Sequence, residues 1–246
     1  MTTTTANPPA SMGSGAMFDT IAGRYDLLNR LMSMGLDQGW RRKAVASLNV
    51  PEGGRVLDLA TGTADLAIRI ARAHPTATVV GVDPSEGMLA VGREKLADLG
   101  LDERVDLREG DAQALDLEDD AFDGVTIAFG IRNVPDRAKA LREMARVVRP
   151  GGRIAVLELS APRTGLLALA VRFQIRVVVP MIGRLLSGAA AYTYLRDSVE
   201  AFPTPDEFAA VVESAGLRMV KTHALGFGAC ALFVAEVPGA GEEGSA

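Results

Sequence analysis

Cysteine, histidine and aromatic side chains are scarce in this chain, which has one Cys, two His, one Trp and three Tyr among 246 residues. A single thiol, Cys230, excludes an intramolecular disulfide and any cysteine-rich metal site. Two histidines, His74 and His223, are too few for a His-based metal centre or a Ser-His-Asp triad, so no metal is expected. Nowhere do about 18 apolar residues run uninterrupted. The nearest stretch, 166–182, is broken by Arg172, Gln174, Arg176 and Pro180, and a spanning helix would have to bury two arginines. Positive charge is not in excess either: 26 Lys and Arg against 31 Asp and Glu leave a net charge of −5. Neutralising a phosphate backbone needs clustered cations, so no nucleic-acid partner is expected.

What is present suits a cytoplasmic α/β protein. Hydrophobic residues make up 48% of the chain, which excludes intrinsic disorder. At ~150 residues per domain the length falls between one and two, and α/β domains often reach about 250 residues, so one domain is expected. A chain of this size buries ~70% of its unfolded surface.

The first sixteen residues are rich in Thr, Pro, Gly and Ser, without the basic and apolar regions of a signal peptide. They are expected to form a disordered tail, as is the Gly/Glu-rich segment 238–246. Between the tails, strand patterns at 55–59, 78–82, 105–108, 122–128 and 153–159 alternate with helix patterns at 65–73, 85–99 and 136–148. A helix at 204–215, capped by Thr204, precedes two closing strands at 217–222 and 230–237, with a Gly-Phe-Gly hairpin signal between them. This rhythm predicts a seven-stranded, mostly parallel sheet covered by helices on both faces. Two segments stand outside it: a helical N-terminal stretch, 17–48, and an insertion, 163–195, whose 163–187 part is apolar and basic. Both are placed to serve as lids, because open α/β sheets bind ligands beyond the carboxyl ends of their strands.

Acids mark three successive strand ends. Asp58 ends the first strand and leads into Ala60-Thr61-Gly62-Thr63-Ala64-Asp65; Asp83 ends the second; Asp111-Ala112 follows the third. A tight Gly turn before a helix start lets a nucleotide-type ligand approach the backbone. An acid after the second strand suits ribose hydroxyls, and one after the third suits an adenine amino group. A dinucleotide site would want G-x-G-x-x-G and a pyrophosphate on the helix N-terminus. Here there is one Gly, and Asp65 stands where that pyrophosphate would sit. S-adenosylmethionine, which carries cationic groups and no phosphate, fits better. Singly, each acid also has a bland explanation: Asp65 as an early-turn acid on the helix dipole, Asp58 as an acceptor for loop N–H groups.

Beyond these residues, the chain resembles the ubiquinone/menaquinone biosynthesis C-methyltransferases, a family of class I S-adenosylmethionine-dependent methyltransferases with a Rossmann-like fold. The likeness spans roughly 17–237. It is carried by Phe18-Asp19-Thr20-Ile21-Ala22-Gly23-Arg24-Tyr25-Asp26-Leu27-Leu28-Asn29, Leu57-Asp58-Leu59-Ala60-Thr61-Gly62-Thr63-Ala64-Asp65, Phe129-Gly130-Ile131-Arg132-Asn133-Val134 and Tyr192-Thr193-Tyr194-Leu195. The resemblance implies cofactor contacts at Asp58, Gly62, Thr63, Asp83, Asp111, Ala112 and Ala128. It implies a substrate pocket at Tyr25, Asn29, Arg132, Asn133, Tyr192 and Tyr194. Ala128 stands where some relatives have Ser, and Thr61 where many have Gly. The pocket's catalytic groups would be Arg132, Asn133 and Tyr25.

The implied reaction moves a methyl group from S-adenosylmethionine to a ring carbon of a lipid quinol, with demethylmenaquinol favoured on the resemblance. The alternatives are 2-methoxy-6-polyprenyl-benzoquinol, another phenolic natural product methylated at O or C, and an NAD-binding or purely regulatory module. Arginine stays protonated and is a poor base, so Arg132 is expected to stabilise a phenolate. Arg163, Arg172, Arg176 and Arg184, set among Leu and Val, suit anionic headgroups at the inner face of the cell membrane; the same surface also suits a buried lid or a homodimer helix.

Overall fold

A computed structural model describes residues 19, 22, 23, 25–27, 29, 30, 33–160 and 189–239. The expected N-terminal tail and the segment 163–187 lie outside the described residues. Strand patterns separated by helix patterns of this length can pair only through crossovers, which yields parallel strands. β1 (Arg55–Leu59), β2 (Thr78–Asp83), β3 (Val105–Glu109), β4 (Phe122–Ala128) and β5 (Val148–Leu159) run parallel. β6 (Arg218–Leu225) and β7 (Cys230–Glu236) close the sheet, β7 lying antiparallel to both β5 and β6. The strand order is β3-β2-β1-β4-β5-β7-β6 in one seven-stranded sheet.

Strand alternation sends side chains to two cores. α1 (Asp37–Ser47), α2 (Asp65–Ala73) and α3 (Glu86–Leu99) cover one face, where Val45, Leu66, Ile70 and Leu89 meet Val56, Leu157 and Leu232. α4 (Arg137–Val147) and α6 (Pro205–Ser214) cover the other, where Leu141, Met144 and Phe208 meet Leu57, Ile127 and Phe233. α5 (Ala189–Glu200) precedes α6 in the chain. Thr204 caps α6 as expected: its hydroxyl accepts the Glu207 N–H and its own N–H donates to the Glu207 carboxylate.

One boundary departs from the expected pattern. Arg149-Pro150-Gly151-Gly152, between the helix pattern at 136–148 and the strand pattern at 153–159, reads locally as a turn, yet β5 begins at Val148. Val148 already pairs with Phe122, the register jumps to Arg153–Gly124, and the glycine turn bonds the end of the sheet through Gly151 N–H to Val237 O and Val237 N–H to Gly152 O. A bulge has absorbed the turn into the strand.

Candidate active site

β1 lies between β2 and β4, so the chain reverses its direction of growth there and opens a crevice beyond the strand ends. The expected site segments after β1, β2, β3 and β4 leave the sheet at that edge. The loop after β1 makes its turn through left-handed conformations at Ala60, Gly62 and Ala64. Gly62 has φ +56°, and a Cβ there would lie 3.2 Å from Met88 Cε and 4.0 Å from Tyr25 Cε1, which sets the Tyr25 ring over the loop.

Asp58 is buried beneath this loop. It accepts hydrogen bonds from the Thr61 (2.7 Å) and Thr126 (2.6 Å) hydroxyls, not from the loop N–H groups of the bland explanation. Burial pushes its carboxyl up to about 6, although both hydroxyls favour the charged form. Asp83 accepts the N–H of Gly62 and of Ser85, both at 2.9 Å, and so ties the β1 loop to the start of α3. Burial raises its carboxyl as well, against the pull of those two bonds. Asp111, at the end of β3, is exposed and accepts from the Gln113 N–H and side-chain amide, with Ala112 half-buried beside it.

The N-terminal segment is anchored across the same edge at two carboxylates. Asp19 accepts from Ser85 Oγ (2.5 Å) and Gly87 N–H (3.0 Å). Asp26 accepts from Thr63 Oγ1 (2.5 Å) and Lys95 Nζ (2.9 Å), and Lys95 also pairs with Asp65. The Thr63 hydroxyl is therefore committed to the N-terminal segment. The Asp65 charge is met by Lys95, so its expected repulsion of a pyrophosphate is offset; Asp58 and Asp83 still oppose one.

β4 ends at Ala128, buried beside Trp40 and Phe129. Phe129 turns left-handed (φ +60°), and a Cβ on Gly130 would come within 2.3 Å of the Ala60 Cβ, so the two loops meet without room for a side chain. Arg132 follows in a short 3₁₀ turn, 7% exposed. Its Nη1 donates to Phe129 O (2.6 Å) and Glu158 Oε1 (2.7 Å), while its Nε–H is buried without a partner. Burial would lower this guanidinium, but the carboxylate of Glu158 and the nearby Tyr25 and Tyr194 more than reverse that and raise it. It stays charged. Asn133 Oδ1 accepts the Tyr194 hydroxyl at 3.0 Å, and burial raises that phenol. Asn29 holds a buried side-chain N–H group without a partner. Tyr192 lies on α5, its side chain outside the described residues.

Thus the fold brings Asp58, Gly62, Thr63 and Asp83 together on one side of the crevice, and Arg132, Asn133 and Tyr194 together on the other. Tyr25 borders both. Sequence reasoning passed over Glu158, Asp26, Lys95 and Asp19. Glu158 had a visible signal, a lone acid in the apolar run Ile154-Ala155-Val156-Leu157-Glu158-Leu159. The others are surface-type residues whose partners lie far along the chain.

A glycine turn of positive φ over two buried carboxylates suits a nucleoside-type cofactor with cationic groups. That chemistry and the strand order define a class I S-adenosylmethionine-dependent methyltransferase, and S-adenosylmethionine is its cofactor. The ubiE/COQ5 methyltransferase family profile matches residues 10–236, and the chain belongs to that family. It is 48% identical over 221 residues to the ubiquinone/menaquinone biosynthesis C-methyltransferase UbiE of Geobacter sulfurreducens, covering 89% of this chain and 86% of that one. It is 48% identical over 223 residues to the demethylmenaquinone methyltransferase of Thermus thermophilus, covering 90% of this chain and 100% of that one. Among solved structures, a SAM-dependent methyltransferase from Aquifex aeolicus shares the fold with a TM-score of 0.62 at 19% identity, over 89% of this chain and 98% of that one.

Proposed function

We propose that this enzyme methylates a ring carbon of demethylmenaquinol to give menaquinol. The carrying observation is the buried Arg132 guanidinium, held by Glu158 and set beside Tyr25, Tyr194 and Asn133 at the crevice. The relatives named demethylmenaquinone methyltransferase favour the naphthoquinol ring over the benzoquinol.

When bound, S-adenosylmethionine supplies an electrophilic methyl carbon. In this chain Asp83 and the Gly62 turn would hold its ribose end, with Asp58 bracing the loop, and Asp111 with Ala112 would take the adenine. Thr63 and Ala128 line the same side. A ring carbon is a weak nucleophile until a neighbouring phenol, with an ordinary pKa near ~10, is ionised. Arg132 stabilises the phenolate oxygen in a site shielded from water, where a fixed cation acts strongly. The carbon–carbon bond would form as the methyl–sulfur bond breaks and S-adenosylhomocysteine leaves; the phenol proton, lost before that step, and the ring proton, lost after it, would both pass to water. Tyr25, Asn29, Asn133, Tyr192 and Tyr194 orient the ring over the methyl, and such orientation lowers the barrier by several kcal/mol.

The polyprenyl tail places the reaction at a lipid surface, so the enzyme works from the cytoplasm as a peripheral protein. Among the described residues, no helix is long and apolar enough to cross a membrane. Labelled S-adenosylmethionine is incubated with reduced short-tail demethylmenaquinone and, separately, with 2-methoxy-6-polyprenyl-benzoquinol, and methyl incorporation is read by mass spectrometry. Ring-carbon methylation of the naphthoquinol is expected. Product from the benzoquinol alone would move the substrate to the ubiquinone series, and no product with either would move it to another phenol.

A further inference from the structure

Glu158 is fully buried at the end of β5. Its Oε1 accepts from Arg132 Nη1 (2.7 Å) and from the Leu159 N–H (2.8 Å), and its Oε2 accepts from the Arg132 backbone N–H (3.2 Å). One carboxylate thus grips both the guanidinium and the main chain of the same arginine. Phe129 O, at 2.6 Å, takes the second proton of Nη1. A guanidinium has five N–H donors in a rigid plane, so binding Nη1 at two points fixes where the remaining donors aim. Nε–H is left buried without a partner, on a group that feels both Tyr25 and Tyr194. A surface arginine would sample many rotamers; this one is held in one.

We propose that Glu158 is a positioning residue that holds the Arg132 guanidinium in place for the substrate oxygen, a role which rests on the function proposed above. Glu158 is fully buried and acts through Arg132. The charged and titratable groups around it are Arg132 and Arg137 from the β4–α4 side, Tyr194 from α5 and the buried Cys230 thiol opposite Leu159 on β7. The pair Glu158–Arg132 is neutral overall, so the site can take a phenolate without first burying a lone cation.

The test uses the pH profile of kcat for the full-length enzyme with reduced short-tail demethylmenaquinone, beside S-adenosylmethionine affinity by calorimetry. Glu158→Gln turns one acceptor into a donor facing other donors. It is expected to lower kcat at neutral pH about tenfold or more and to move the rising limb of the profile up by about one pH unit, since the guanidinium, no longer gripped, is not held on the phenolate oxygen. Activity returns at high pH, and the cofactor Kd stays within about threefold. Glu158→Asp keeps the charge and moves the limb less. A purely structural acid would lower kcat by one factor at every pH and leave the limb in place. That outcome, or an unchanged kcat, overturns the proposal. If Glu158→Gln does not fold, the limb of Glu158→Asp decides by the same criterion. A wild-type enzyme that binds S-adenosylmethionine yet methylates neither quinol would instead overturn the function, and the role of Glu158 with it.

Discussion

Asp26 accepts the hydroxyl of Thr63 at 2.5 Å, joining the N-terminal segment to the β1 loop across 37 positions of sequence. The same carboxylate accepts a hydrogen bond from Lys95, which in turn holds Asp65. The segment that carries Tyr25 and Asn29 is thereby pinned beside the loop proposed to hold the cofactor. Asp19 supplies a second pin at the start of α3.

Asp26→Ala should loosen this closure while sparing the fold. The Asp26–Lys95 pair is about a quarter exposed, and such pairs contribute only ~0–1 kcal/mol to stability. Stopped-flow measurement is expected to give severalfold faster S-adenosylmethionine dissociation with an almost unchanged melting temperature. Equal dissociation rates would show that the contact has no part in retaining the cofactor.

Asp83→Asn should act on affinity. Two N–H groups, from Gly62 and Ser85, donate to the carboxylate, and hydrogen bonds to charged groups contribute about 1.5–3 kcal/mol. Calorimetry is expected to show S-adenosylmethionine binding weakened about 10- to 100-fold, with kcat at saturating cofactor little altered. Unweakened binding would remove Asp83 from the cofactor site.

Asp58 should leave a mark on stability against pH. Its carboxyl rises from the ordinary 3.8 to about 6 on folding. The folded state therefore holds this proton more tightly than the unfolded chain. The resulting stabilisation is complete below pH ~4 and is lost as pH climbs through ~6, a change of about 3 kcal/mol. Asp58→Asn cannot ionise, so the wild-type minus variant difference in urea-unfolding free energy should fall by that order between pH 4 and pH 7. A difference that stays flat contradicts the burial of a titrating carboxyl at this position.

Gly130→Ala probes the meeting of the two loops. The added methyl would stand 2.3 Å from the Ala60 Cβ, which cannot swing aside. Overpacking of this kind costs about 1–3 kcal/mol. Because Gly130 lies two residues before Arg132, turnover should fall along with the urea midpoint. Retention of both would mean that the loops separate freely.

Tyr194→Phe removes only the hydroxyl that Asn133 accepts at 3.0 Å. A net intramolecular hydrogen bond contributes about 1 kcal/mol, so the fold should persist. If Asn133 is held for the substrate, kcat/KM for the quinol drops about tenfold while cofactor affinity is unaffected. An unchanged kcat/KM would make the bond a packing detail.

The sequence by itself determined the alternation of strands and helices, because burial on a sheet face or a helix stripe is written as local periodicity. It also determined the strand-end acids and the glycine turn, which sit within a few residues of each element's end. The spacing of Asp58, Asp83 and Asp111 along successive strands pointed to a nucleoside-type ligand at that edge of the sheet. The bulge that carries β5 back to Val148 escaped it, since a Pro-Gly-Gly turn reads locally as a stop and only the pairing with Phe122 and Val237 makes it part of the sheet.

The partners inside the site were decided by tertiary structure. Arg132 meets Glu158 because β5 lies beside β4. Asp58 meets Thr126, 68 positions away in sequence, because β1 lies beside β4. Tyr194 meets Asn133 across 61. Strand order sets these contacts, and no local pattern encodes which strand will lie next to which. A carboxylate in an apolar strand is conspicuous in the sequence, but only the neighbouring strand shows that it holds an arginine.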